Sequence, residues 1–207
     1  MKNLILILIV SPILLNAQIT ATIDENGKKV LLKSDGTWNY KSQDTIKFEG
    51  TGIWNIKYFV DDFGDPTDSG YISNNSRISG SFSNSATSNS KLNTYFIVSN
   101  KSNVAIKLFE YAGRNAVKAY GAKQFSIIVK GGNGLRHSMA GTMYEGGDRL
   151  YFDRSSKKNH TSKMHSILLN GGEITVVIKE QDYGGLTSYR FKFNADGYIN
   201  AFNTLFK

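Results

Sequence analysis

Apolar and polar residues alternate with a period of two along much of the chain. Tyr189, Phe191 and Phe193 interleave with Ser188, Arg190 and Lys192, and Ile78, Gly80 and Phe82 with Arg77, Ser79 and Ser81. Phe125, Ile127 and Val129 repeat the pattern, as do Ile174, Val176 and Ile178. Successive side chains of a strand point to opposite faces, so this spacing predicts half-buried strands. Four runs are apolar on both faces: Trp54 to Val60, Leu92 to Val98, Val104 to Tyr111 and Met164 to Leu169. Those are expected in the middle of sheets.

The runs are separated by turn chemistry at Gly64-Asp65-Pro66, Asn74-Asn75, Gly131 to Gly134, Gly146-Gly147-Asp148, Asn170-Gly171-Gly172 and Gly184-Gly185. Short strands between such turns predict an all-β chain, an antiparallel β-sandwich or flattened barrel. One segment departs from the period. Tyr198, Ile199, Phe202, Leu205 and Phe206 share a face at helical spacing behind Asp196, a residue able to cap. This predicts a short C-terminal helix packed across an open end or edge of the sheet. The Ser/Asn-rich stretch Ser81 to Ser90 is expected as a solvated loop.

The N-terminus has a different character. Lys2 precedes the apolar run Leu4 to Val10, Ile13 to Leu15 continues it after Pro12, and the small residue Ala17 follows. These are the three parts of a secretory signal. A spanning helix needs about 20 apolar residues, and this stretch is shorter and broken by proline. The expected organisation is a signal peptide over residues 1–17, a hairpin segment over 18–43 and a β domain over 44–207. Within the hairpin segment, Lys29 to Leu32 and Thr37 to Tyr40 flank the turn Ser34-Asp35-Gly36. After cleavage no second long apolar stretch remains, so the mature chain is not expected to span a membrane. The expected location is periplasmic or secreted.

Composition sharpens this picture. The chain has no cysteine, so an exported form would be stable without disulfides, on which small exported domains often rely. Any metal site must use His and carboxylates. The formal charge of +8 points toward an anionic partner such as an envelope polymer, although a basic balance also serves plain solubility.

Gly27 to Trp38 (GKKVLLKSDGTW) resembles a short motif near the start of many exported proteins of Gram-negative bacteria. The region after it, with Val60 to Thr67 (VDDFGDPT) and Phe82 to Thr87 (FSNSAT), resembles uncharacterised exported bacterial domains. In layout the chain is distantly similar to periplasmic accessory proteins of the type VI secretion apparatus. Those also run from a Trp through an acidic turn to a Phe-x-Phe strand and a helix, here Phe191-Lys192-Phe193 and Ala201 to Leu205. They commonly carry cysteines that this chain lacks. The resemblances imply a compartment and carry over no catalytic residue.

Candidate chemistry is sparse. Asp61, Asp62, Asp65 and Asp68 form the densest carboxylate cluster. Oxygen-rich loops hold Ca²⁺, so Asp61, Asp62 and Asp65 are the candidate metal ligands. Their spacing matches no EF-hand, and Asp and Pro equally build ordinary turns. The three histidines, His137, His160 and His165, form neither H-x-x-x-H nor H-E-x-x-H. No G-x-S-x-G elbow is present, and Lys130 to Arg136 (KGGNGLR) lacks the context of a phosphate loop and reads as a hairpin turn. No cofactor is called for. The most basic stretch runs from Arg149 to His165, where Arg149, Arg154, Lys157, Lys158 and Lys163 stand against Asp153 among Tyr151, Phe152, His160 and His165. Those five cations are the candidate binding residues for an anionic polymer, the alternative being a solvated charged loop.

The expected function is therefore that of a non-enzymatic binding or structural accessory protein of the cell envelope. Its expected partner is an anionic envelope polymer or another envelope protein, and export argues against nucleic acid. The other class is a secreted hydrolase acting on envelope polymers or peptides, which the missing motifs make the weaker expectation.

Overall fold

The fold is given by a computed structural model that describes residues 19–22, 29–32, 38–40, 50–113, 115–154, 158–181 and 186–206. The expected signal peptide, the turn at Ser34-Asp35-Gly36 and Lys157 lie outside the described residues. The chain divides into two compact units, Met1–Asp44 and Thr45–Lys207. In the first, β1 (Ile19–Thr22) pairs with β2 (Lys29–Leu32), and β2 pairs with β3 (Trp38–Tyr40), both antiparallel.

The second unit begins with the hairpin of β4 (Trp54–Val60) and β5 (Pro66–Asn74). There follow β6 (Ile78–Asn84), β7 (Thr87–Asn100), β8 (Asn103–Glu110), the short β9 (Asn115–Ala116), β10 (Lys123–Lys130), β11 (Arg136–Met143) and β12 (Leu150–Phe152). The helix α1 (His160–Leu169) leads into β13 (Glu173–Glu180), β14 (Ser188–Asn194) and α2 (Tyr198–Leu205). Hydrogen bonding runs in the order β7-β6-β14-β13-β10-β11-β12-β8, and β8 pairs back onto β7. Those eight strands form a closed antiparallel barrel, with β5 and β4 added beyond β7 and β9 beyond β8. Among the described residues no helix is long and apolar enough to cross a membrane.

The period-two pattern becomes the inside and outside of this ring. Phe125, Ile127 and Val129 of β10, Ile174, Val176 and Ile178 of β13, and Tyr189, Phe191 and Phe193 of β14 are buried. Their neighbours Gln124, Ile128, Glu173, Lys179, Arg190 and Lys192 are exposed. An eight-stranded ring is just wide enough for side chains to fill its bore, and Phe82, Phe96, Phe125 and Phe191 fill it here. Close approach of β6 to β14 needs a glycine at Gly80, because a Cβ there would lie 2.3 Å from the Arg190 carbonyl oxygen.

Two local expectations are corrected. Met164 to Leu169 is not a central strand but part of α1. Four of its five buried residues, Thr161, Met164, His165 and Leu168, fall at i, i+3, i+4 and i+7, which is one helical stripe. The Asn159 side chain accepts the Ser162 amide at 2.9 Å and starts the helix. Ser81 to Ser90 is not a solvated loop but the paired ends of β6 and β7. Asn84 makes the turn between them by accepting the Ala86 and Thr87 amides at 2.9 and 3.0 Å.

The C-terminal helix forms where the apolar spacing places it. Its N-cap, however, is Gly197 in the left-handed region at φ 84. A side chain at that position would put its Cβ 2.3 Å from the Thr51 carbonyl carbon. Asp196 instead accepts the Gly172 amide at 2.7 Å, which joins the α1–β13 turn to the start of α2 and holds its carboxyl below the ordinary range.

Trp54 ties the first hairpin to the barrel. It is fully buried, and its Nε1 donates to the Ala195 carbonyl at 3.1 Å. Its ring meets Phe96, Phe193 and Tyr198 edge-on, with centroids 6.0, 6.1 and 5.1 Å away. Trp54→Phe removes buried volume and one of the two donors to the Ala195 carbonyl, which keeps the Tyr198 amide at 3.1 Å. Urea unfolding should register a loss of about 2–3 kcal/mol; a loss below about 0.5 kcal/mol would contradict this role for Trp54.

Candidate functional site

The site is a cleft of about 310 Å³ on the outside of the barrel, beside the β7–β8 turn. Four parts of the chain form it, Thr161 on α1 among them. Asn100, Ser102 and Asn103 come from the turn, where Asn100 Oδ1 accepts the Ser102 amide at 2.8 Å. Tyr144 follows β11. Tyr151, Asp153 and Arg154 come from β12 and the residues after it. On β12, Leu150 and Phe152 are buried in the core, so the alternation turns Tyr151 and Asp153 outward.

Hydrogen bonds fix the cleft's polar wall. Thr142, whose hydroxyl lies 2.8 Å from Asp153 Oδ1, sits on the adjacent strand. The Asp153 amide donates to the Ala140 carbonyl at 3.0 Å, and the Asp153 carbonyl accepts the His160 amide at 3.0 Å. His160 Nδ1 accepts the Ala140 amide at 3.0 Å, which requires an unprotonated Nδ1. Thr161 Oγ1 donates to the Phe152 carbonyl at 2.6 Å. The start of α1 is thereby pinned to β11 and β12, and the segment carrying Arg154 leaves and returns through the Arg154–Asn159 bridge. The rings of Tyr144 and Tyr151 lie 6.0 Å apart at 51°. The cleft thus combines two aromatic faces, two amides, a carboxylate held by a hydroxyl, and a guanidinium.

The candidate residues from the sequence fall in different places. Arg154 lines this cleft. Lys163 lies on α1 and lines a smaller pocket facing the β10–β11 turn. Arg149 is exposed, with Nε 4.0 Å from Asp148, whose carboxylate also takes Lys107 Nζ at 2.6 Å. Lys158 is exposed. The stretch from Arg149 to His165 is therefore not one basic loop: β12 and the start of α1 lie within it, and Arg154 and Lys163 line different pockets.

Asp61, Asp62 and Asp65 sit at the β4–β5 turn. Asp61 Oδ1 accepts the amides of Phe63 and Asp65 at 3.0 and 2.8 Å, so this carboxylate is engaged in its own turn. Among the described residues no three His, Asp or Glu side chains group in a way that would hold a metal ion.

A second polar cluster was not among the candidates. At the barrel mouth away from α1, inward positions at strand ends bring together Glu110, Lys123, Glu180 and Tyr189. Tyr189 donates to Glu110 Oε1 at 3.1 Å, and Lys123 Nζ lies 2.5 Å from Glu180 Oε1. Burial raises the Glu110 carboxyl above its ordinary range, opposed by the Tyr189 hydrogen bond and by Lys123. Burial, followed by the charge of Glu110, raises the Tyr189 phenol. Tyr111 and Ala112 beside the mouth hold positive φ values of 50 and 61, a conformation that costs non-glycine residues energy. The sequence signal was a charge continuing the inward register: Lys123 before Phe125, Glu180 after Ile178 and Glu110 after Leu108.

Comparison with protein-family models, with curated proteins and with solved structures found no match.

Of the three histidines, His165 is buried on α1, its Nδ1 2.9 Å from the Tyr198 hydroxyl and its ring 4.5 Å from that of Phe202. Burial, with a smaller contribution from the positive charge of Lys101, holds its imidazole below the ordinary 6.5. The unfolded chain therefore takes up a proton first as pH falls. The stability that neutral His165 contributes is fully present above pH 6.5 and is lost as pH falls through the folded-state pKa. Melting temperature should decline as pH falls below 6.5, and His165→Gln should flatten that decline; an equally steep decline in the variant would contradict the assignment.

Proposed function

We propose that this chain is a non-enzymatic binding module of the bacterial cell envelope that takes an acidic glycan segment in the cleft beside the β7–β8 turn. The observation that carries the proposal is the pairing of the Tyr144 and Tyr151 rings with Arg154 in one cleft. Aromatic faces pack against the C–H faces of sugar rings, which are apolar surfaces with polar rims. Asn100 and Asn103 offer both donors and acceptors to hydroxyls. Arg154 offers a charge-assisted hydrogen bond to a uronate or another anionic substituent. A volume of about 310 Å³ suits one or two sugar units of a longer polymer, at the small end of ligand pockets. The signal-like N-terminus and the net charge of +8 agree with an exported protein meeting an anionic polymer.

The hydrolase reading has one observation in its favour. Glu110 sits beside Glu180 with its carboxyl raised by burial, the direction a general acid requires. Incubation with envelope polymers and assay for released reducing ends or amines tests it. Turnover that disappears in Glu110→Gln would replace the binding reading.

Calorimetric titration with acidic and neutral oligosaccharides tests the main proposal. An acidic oligomer should bind and raise the melting temperature, by about 2.7 kcal/mol of stabilisation at a hundredfold excess over Kd. Arg154→Gln should weaken the acidic oligomer about tenfold or more, the worth of one charge-assisted bond. Tyr151→Ala should weaken acidic and neutral oligomers alike. Binding that neither substitution affects would contradict the assignment of the cleft.

A further inference from the structure

The β4–β5 hairpin ends in a feature that the barrel does not use. Phe63 is 92% exposed at its tip, and Val60 beside it is 59% exposed. The tip is nonetheless tightly ordered. Asp61 N donates to the Asp65 carbonyl at 2.8 Å, Gly64 N donates to the Asp61 carbonyl at 3.0 Å, and the Asp61 carboxylate takes two further amides. Thr67 Oγ1 lies 3.1 Å from the carbonyls of Phe59 and Ser69. A turn this well bonded presents the Phe63 ring at low ordering cost, which is what an interface anchor requires. Asp61, Asp62, Asp65 and Asp68 lie on the same hairpin, so the finger is acidic on a chain whose total charge is +8.

The same chain carries the complementary surface. Between the β10–β11 turn and α1 lies a pocket of about 130 Å³. Leu135, 59% exposed, and Ile167, buried, supply its apolar side chains. Ser166 and Asn170 complete its helix side, and Lys163 and His137 flank it. Lys130 and Arg136, both exposed, face each other across the base of the same turn. An apolar cavity of about 150 Å³ takes a benzene ring, so the opening is close to the size of a phenylalanine ring. An aromatic tip on an acidic hairpin thus matches a ring-sized pocket lined by Lys163, beside a turn whose base carries Lys130 and Arg136.

We infer that the β4–β5 hairpin is a docking finger for a second copy of this chain, with Phe63 seated in the pocket between the β10–β11 turn and α1 of that copy. Finger and pocket are different surfaces, so the contact is head-to-tail and leaves one finger and one pocket free at the two ends. Such contacts propagate into rings or filaments. The carboxylates oppose insertion of the tip into an anionic membrane surface.

Light scattering on the purified chain over a range of concentrations tests the inference. The average mass should rise with concentration above the 23.0 kDa of one chain. The rise should weaken when salt goes from about 50 mM to about 500 mM, as it does for contacts between opposite charges. Phe63→Ser and Leu135→Asp should each remain monomeric with unchanged circular dichroism. An equimolar mixture of the two should form a one-to-one dimer, because one retains the pocket and the other the finger. A wild-type chain that stays monomeric throughout overturns the inference, as does a Phe63→Ser variant that associates like wild type, or a mixture that stays monomeric. Phe63-dependent pelleting of a monomeric chain with phosphatidylglycerol vesicles overturns it in favour of a lipid surface.

Discussion

Closure of the barrel through β7 and β8 is the constraint on which the rest of the second unit depends. β7 runs for fourteen residues, longer than the other strands among the described residues. Along one edge its first half pairs with β6 and its end pairs with β5, while β8 lies along the other edge. One strand therefore completes the ring and also carries the first hairpin. Without the β7–β8 ladder the sheet would have two open edges, exposing unpaired amides and carbonyls. With it, the inward register of eight strands converges on one apolar bore, and the outward register is left for chemistry.

The candidate cleft follows from that closure. The β7–β8 turn carrying Asn100 and Asn103 meets β12 only because β8 lies between β7 and β12. Tyr151 faces outward because Leu150 and Phe152 must face inward. Asp153 is then fixed by Thr142 of the next strand and by backbone bonds to Ala140 of β11 and His160 of α1. Loop residues on a rigid scaffold are where binding groups are commonly found, and this scaffold is braced at the α1 end by Trp54, Tyr198 and His165. The finger obeys the same logic at the other extreme: its base is locked by Trp54, and its tip extends beyond any packing that would cover Phe63.

How much of this was legible in the sequence depended on the range of the interaction. Strands were legible at Phe125–Val129, Ile174–Ile178 and Tyr189–Phe193 because side-chain period is local, and α2 was legible from its own apolar stripe. α1 was misread because Met164, Ile167, Leu168 and Leu169 crowd into six residues, while Asn159, which caps the helix, and Thr161, which begins its buried stripe, lie just outside that run. Asp196 resembled a cap because a carboxylate preceded the stripe; the backbone turn at Gly197 left it bonded to Gly172 instead. Ser81 to Ser90 looked like a loop by composition, but register with Lys91 and Leu92 made it a strand pair. The cleft was not legible, since Asn100–Asn103 and Tyr144–Arg154 are brought together by pairing that no local pattern encodes. The basic stretch indicated Arg154 through charge alone, while the tyrosines and asparagines beside it carried no distinguishing signal.

The most direct test of the central claim is an amide-resolved magnetic resonance titration of the chain with an acidic oligosaccharide. The account predicts shifts confined to Asn100–Asn103, Tyr144 and Tyr151–Arg154, with the barrel mouth around Glu110 unchanged. Shifts centred on Glu110, Lys123 and Tyr189, or no saturable shifts with any acidic oligosaccharide, would contradict it.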